Sequence, residues 1–191
     1  MSPTTQLEAP LVPAKFTLAQ YHQMIEAGLL DDAPVELLNG VIVEISPEGE
    51  THAYSSHEAA KYLMRILGEL ADVRQAKPIT ISASGSEPEP DIAVIQDLGQ
   101  EYSQHHPYPE NIFWVIEYSY SSLRKDLEPK AKVYAAAGIS EYWVINLRTM
   151  ELLVMRDPVK GEYQARQTFR QGYVSPLAFP NLDIEVIRLL G

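Results

Sequence analysis

Ile112-Phe113-Trp114-Val115-Ile116, a helix-favouring stretch from about Asp126 to Ala137, and Tyr142-Trp143-Val144-Ile145-Asn146 together decide the fold of this chain. The first and third runs are continuously apolar, which marks strands buried on both faces. Between them Pro129 falls in the first turn of the predicted helix, where its missing N–H costs nothing, and Gly138 stands just past the end. Residues 112–146 therefore read as a β-α-β unit, and the right-handed crossover rule makes its two strands parallel.

Working outward, Asp91-Ile92-Ala93-Val94-Ile95 is a short apolar strand, and Pro78-Ile79-Thr80-Ile81-Ser82 alternates as a strand does. Residues 100–110 form a loop. Upstream, a helix runs from near Thr51 to Leu70, with Leu63, Ile66, Leu67 and Leu70 on one side and Lys61, Arg65 and Glu69 on the other. Two β-prone runs flank Asn39-Gly40, a strong hairpin signal. Thr17-Leu18-Ala19-Gln20 reads as a capping-box start to a short helix that ends at Gly28. From Met150 onward, segments alternating around Asp157-Pro158 and Gln171-Gly172 read as an antiparallel meander. The class is α/β, a mixed sheet with helices against it and further antiparallel strands at the C-terminus. Residues 1–14, with three prolines and no period, read as a flexible tail, and 15–191 as one domain.

Composition narrows the chemistry. The 191 residues contain no cysteine, which excludes disulfide frameworks, zinc fingers, thiol nucleophiles and iron–sulfur ligation. No apolar window is long enough to span a membrane, and the N-terminus lacks the features of a secretion signal, so the expected location is the cytoplasm. The net charge of −11 argues against high-affinity coating of nucleic acid. The charge is uneven, though: residues 122–170 hold nine Lys/Arg against six Asp/Glu, while the rest of the chain holds six against twenty.

Three residues stand at strand or helix ends where chemistry could gather. Asp91 opens a strand after Pro90, Glu117 closes the strand 112–116, and Lys130 lies early in the following helix. Acidic residues at strand ends are often only solvated surface. Two carboxylates about 4 Å apart with no counter-charge, however, would repel by roughly 4 kcal/mol at an effective dielectric near 20. A sheet that brings them together therefore binds a cation there or keeps one carboxyl protonated. All-oxygen ligation suits Mg²⁺ or Mn²⁺, and a nearby ammonium can stabilise charge on a phosphoryl group or help activate water.

The block Glu117-Tyr118-Ser119-Tyr120-Ser121-Ser122-Leu123-Arg124-Lys125-Asp126, then Lys130, Tyr134 and Ala135-Ala136-Ala137-Gly138-Ile139-Ser140-Glu141-Tyr142-Trp143, resembles a family of small bacterial candidate restriction endonucleases long catalogued as a domain of unknown function. That family belongs to the PD-(D/E)xK nuclease superfamily. Its pattern runs E-V-x-x-S-S-L-x-x-D-x-x-x-K-x-x-x-Y-A-x-A-G-I-x-E-Y-W. Pro90-Asp91 matches the P-D element, Glu36-Leu37-Leu38-Asn39-Gly40 an upstream E-L-x-D/N-G, and Ser46-Pro47 with His52 the S-P-x-x-x-x-H start of the long helix. The chain departs from the superfamily at 119, where Ser119 replaces the E-x-K lysine, and from the family at Tyr120, where an acidic residue is common.

The resemblance implies a restriction-endonuclease-like sheet and a Mg²⁺- or Mn²⁺-dependent endonuclease acting on DNA, working as a homodimer that cuts two strands. It implies Asp91 and Glu117 as metal ligands with the Tyr118 carbonyl, Lys130 as the group that orients water or stabilises charge, and Glu36 as a holder of a metal-bound water or of Lys130. Ser121, Ser122 and Asp126 are expected to tie down the turn into the helix, and Tyr134 to pack beside the amine. His52 is expected to pack or cap at its helix start, and His57, His105 and His106 to be surface residues. Two other readings stand beside this one. One is a nuclease-fold module that binds or assembles without cutting; the other is a metal-dependent hydrolase of a non-nucleic phosphate ester.

Overall fold

Thr17 opens the first element as its sequence predicts: its Oγ1 accepts from the Gln20 N–H while Gln20 Oε1 accepts from the Thr17 N–H, and α1 runs over Leu18–Glu26. The computed structural model describes residues 12–120 and 122–191, so most of the expected tail and Ser121 lie outside the described residues. Next come β1 (Val35–Leu38) and β2 (Val41–Glu44), an antiparallel hairpin. Asn39 and Gly40 both have positive φ, +52° and +80°, as the tight turn with matching twist requires. A Cβ at Gly40 would stand 3.0 Å from the Phe16 carbonyl oxygen, which accepts no substitute for glycine without a shift.

The long helix α2 spans Glu50–Leu67 and tightens into a 3₁₀ turn at Gly68–Leu70. β3 (Asp72–Gln75) follows, a strand with one buried residue, Val73, and no apolar alternation to announce it. The alternating segment Pro78–Ser82 is not a strand. Ile79 and Ile81 are buried as the pattern implies, but the Ile79, Thr80 and Ile81 N–H groups donate to Pro88, Pro107 and Ser86, so no ladder forms. Thr80 between them is buried as well, its hydroxyl donating to Glu87, so the alternation in residue type reflects neither an exposed face nor strand pairing.

β4 (Ile92–Ile95), β5 (Ile112–Ser119), β6 (Glu141–Asn146), β7 (Glu151–Val159) and β8 (Glu162–Phe169) join β3 in a six-stranded sheet of order β3-β4-β5-β6-β7-β8. β5 and β6 are the parallel pair, and the other neighbours are antiparallel. Asp157-Pro158 lies inside β7 and does not turn the chain; the turn is at Lys160-Gly161, both with positive φ. Pro158 is tolerated because β6 ends its pairing at Glu141–Arg156, so the missing N–H faces no strand on that side. After Gly172, β9 (Tyr173–Val174) pairs with β10 (Ile184–Glu185), and α5 (Ile187–Leu190) closes the chain.

The crossover between β5 and β6 starts earlier than its sequence predicts. α3 (Leu123–Lys125) leads into a π turn at Asp126–Lys130 and then α4 (Ala131–Ala136), so Pro129 sits inside helical backbone. The wider π turn has abandoned the i→i−4 bond that a proline would break.

Alternation along β5 divides the core. Trp114, Ile116 and Tyr118 face α2 and α5, whereas Val115 belongs with Tyr134, Ala131 and Tyr142 on the α4 side. Glu117 falls on the α4 side by the same alternation, and this sends its carboxylate toward the crossover helix.

Candidate metal and catalytic centre

The antiparallel register of β4 and β5 sets Ile92 opposite Ile116, and one step further it brings Asp91 opposite Glu117. Residues directly opposite in such a pair share a face of the sheet. Asp91 Oδ2 accepts the Tyr118 N–H at 2.6 Å, which ties the strand end to its neighbour. Both acidic groups reach one cavity of about 50 Å³, room for a cation or a few waters.

Lys130 reaches this point from the π turn. Its Nζ donates to Glu117 Oε1 at 2.8 Å and lies 3.3 Å from Glu36 Oε2. The Tyr134 hydroxyl, one turn on, donates to the same Glu117 oxygen at 2.8 Å. Glu36 is buried on the β1–β2 hairpin; its Oε1 is 2.7 Å from Lys125 Nζ, and its Oε2 accepts the Glu89 N–H. The structure thus brings together Asp91, Glu117, the Tyr118 carbonyl, Lys130 and Glu36 from four elements. Asp126 braces the turn: its Oδ2 accepts from the Ser119 and Ser122 hydroxyls, and its carbonyl accepts from Tyr142.

Electrostatics sharpen the picture. Six carboxylates (Glu36, Glu48, Glu89, Asp91, Glu117 and Asp126) line the cavity against two lysines and His52. Burial, with Asp91, Asp126 and Glu36 adding to it, pushes the Glu117 carboxyl up to about 8 against the pull of Lys130. Burial would lower the Lys130 ammonium, but Glu117, Glu36 and Asp126 outweigh it and hold its pKa above the ordinary lysine value. Lys130 therefore stays charged, and its ammonium donates to Glu117. Among the described residues, Asp91 Oδ1 and Glu117 Oε2 have no hydrogen-bond partner. Two carboxylate oxygens without donors, open to a hole with surplus negative charge and with no soft ligand among the described lining residues, are a donor set that fits a hard divalent cation.

His52 is the residue whose place the sequence conceals. It does not cap α2. Its Nε2 lies 2.8 Å from the Tyr118 carbonyl oxygen and 3.2 Å from Asp91 Oδ2, and its Nδ1 lies 3.6 Å from Glu48 Oε2. Burial would lower its pKa, but Asp91, Glu48 and the Tyr118 carbonyl raise it to about 9. Glu48, His52 and Asp91 offer ligand atoms within 4.8 Å of one another, a second grouping able to hold a metal. The S-P-x-x-x-x-H spacing is the signal that marks this histidine. His57, His105 and His106 stay outside: His57 bonds Gln75, and His105 stacks on Tyr108.

The mixed sheet flanked by helices, with further antiparallel strands at its C-terminal side, is a restriction-endonuclease-like fold. The sequence profile of the Uma2 family, described as "putative restriction endonuclease", matches residues 18–187, and the chain belongs to that family. A crystal structure of a "putative nuclease belonging to DUF820" from Anabaena variabilis superimposes with a TM-score of 0.66 at 17% identity, covering 93% of this chain and 98% of that one. No curated protein matches the sequence. Among the described residues, no helix is long and apolar enough to cross a membrane.

Proposed function

We propose that this chain is a divalent-metal-dependent endonuclease that hydrolyses DNA phosphodiester bonds. Asp91, Glu117 and the Tyr118 carbonyl would hold Mg²⁺ or Mn²⁺, and Lys130 would be the cationic catalytic group. The observation that carries the reading is the Asp91–Glu117 register with the Lys130 ammonium on one Glu117 oxygen. The chemistry such an ion supplies when bound is Lewis-acid polarisation of a phosphoryl oxygen.

An ammonium has three N–H donors. Two of those on Lys130 face Glu117 and Glu36, and the third is left for a phosphoryl oxygen or the attacking water. Water adds to phosphorus, the bond to one deoxyribose oxygen breaks, and the departing oxygen takes a proton. Lys130 meets the negative charge that builds on the phosphoryl group, and Glu36 and Tyr134 keep the pair aimed. A homodimer would present two such centres to two strands, which gel filtration checks.

The test is cleavage of plasmid and single-stranded DNA with Mg²⁺ or Mn²⁺ by wild type, Asp91→Asn and Lys130→Gln. Cleavage by wild type alone supports the reading; equal cleavage by all three marks a contaminant and removes it. The net charge of −11 favours a second reading, a nuclease-fold module that binds without cutting. A chain that binds neither ion at millimolar concentration in calorimetry supports that alternative.

A further inference from the structure

Beside the carboxylate centre lies a larger cavity of about 290 Å³. It shares Ser46, Glu48, His52 and Ser122 with the smaller one, so the two are parts of one depression. Its far wall is Tyr120, which is 54% exposed although it directly follows the buried strand β5. The Arg148 guanidinium lies 5.1 Å from the centre of the Tyr120 ring. Tyr120 thus offers an open aromatic face at the cavity wall, a surface on which a flat ring can stack. A cation behind the ring holds it in place and adds positive charge to a chain that has little.

The remaining lining has a definite polarity. Glu48, Glu50, Ser46 and Thr51 supply oxygen acceptors, and the first turn of α2 has no side-chain cap at Gly49, which leaves backbone N–H donors facing outward. Two carboxylates repel a phosphate but accept from an exocyclic amine, as acidic side chains do from cytosine. A flat ring stacked on Tyr120, with an amine toward Glu48 or Glu50, matches all these features. A base paired in a duplex cannot enter such a cavity; an unpaired or extruded one can.

We infer that this cavity binds an unpaired, amino-bearing nucleobase of the nucleotide next to the scissile phosphate. The inference rests on the nuclease reading for the identity of the polymer, and it makes single-stranded DNA, or a frayed or mispaired end, the preferred substrate. Tyr120 is the stacking platform, Arg148 its support, and the acidic rim selects cytosine, adenine or guanine over thymine.

The test separates binding from cutting. Fluorescence anisotropy with labelled short oligonucleotides is measured with Ca²⁺ in place of Mg²⁺, on wild type, Tyr120→Ala, Arg148→Gln, Glu50→Gln and, as an exposed-tyrosine control, Tyr173→Ala. Wild type is expected to bind single strands more tightly than duplex, and oligo-dC more tightly than oligo-dT. Tyr120→Ala should lose about tenfold in single-strand affinity, Arg148→Gln should lose less, Glu50→Gln should narrow the dC-over-dT preference, and Tyr173→Ala should match wild type. Single-strand binding by Tyr120→Ala equal to wild type overturns the inference, even if plasmid cleavage is intact. Tyr120-dependent binding without any cleavage leaves the cavity as a nucleotide site and removes the nuclease reading instead.

Discussion

Lys130 Nζ and Glu117 Oε1 meet at 2.8 Å inside the protein, each side chain about 5% exposed, although thirteen positions separate them in the chain. The contact depends on a π turn that carries the lysine back over the end of the strand bearing the glutamate. A buried pair of this kind is costly to break on one side only, because the surviving charge is left without its partner.

Lys130→Met should therefore show two separable losses. Stability should fall by roughly 3 kcal/mol in urea denaturation, since Glu117 and Glu36 both lose their shared cation. Cleavage per folded molecule should fall by about 100-fold or more, the usual cost of losing a donor to developing charge.

Asp91→Asn keeps an oxygen able to accept the Tyr118 N–H, so the strand end stays tied, but it removes the carboxylate that faces His52, and a loss of about 1–2 kcal/mol is expected together with a fall in the His52 pKa. Affinity for Mn²⁺ in calorimetry should collapse along with cleavage. A variant that retains both would show that Asp91 is not a ligand.

Divalent metal should stabilise the wild-type fold. At a free concentration about 100 times its dissociation constant, a single-site ion adds roughly 2.7 kcal/mol, a rise of about 5–10 °C in Tm for a domain of this size. EDTA should reverse the rise, and Asp91→Asn should not show it.

Gly40→Ala tests how far the hairpin matters to the centre. The turn needs φ of +80° at this position, and the added Cβ would press on the Phe16 carbonyl. A loss of about 1–3 kcal/mol is expected. Because β1 carries Glu36, cleavage should weaken as well, whereas a mere turn defect would leave it unchanged.

Glu141 provides a control away from the centre. It is fully buried, and it accepts from Arg156, the Trp143 indole and the Leu177 N–H, which pins the segment after β9 to the start of β6. Glu141→Ala should cost about 3–5 kcal/mol in denaturation, with cleavage per folded molecule and metal affinity close to wild type.

The order of the elements was legible where burial and local geometry act over a few residues. The continuous apolar runs at 112–116 and 142–146 could satisfy themselves only as inner strands, and the helical crossover between them made them parallel. The Asn39-Gly40 turn and the Thr17 capping box were equally legible, because each is a conformation that few residues accept. By contrast, β3 carries one buried side chain and is a strand because β4 offers it an edge. Pro78–Ser82 shows the reverse case, an alternating segment with no neighbour in register.

Positions at strand and helix ends brought Asp91, Glu117 and Lys130 forward as one group, and the resemblance to the family pattern added Glu36. Their meeting was decided by the fold. Register between β4 and β5 set the two carboxylates side by side, and the π turn aimed the ammonium. The docking of α2 brought His52 onto the Tyr118 carbonyl, and the chain's path after β5 left Tyr120 open beside Arg148. Each of these depends on contacts between segments far apart in sequence, and a local pattern carries no information about which distant side chain will fill the space in front of it.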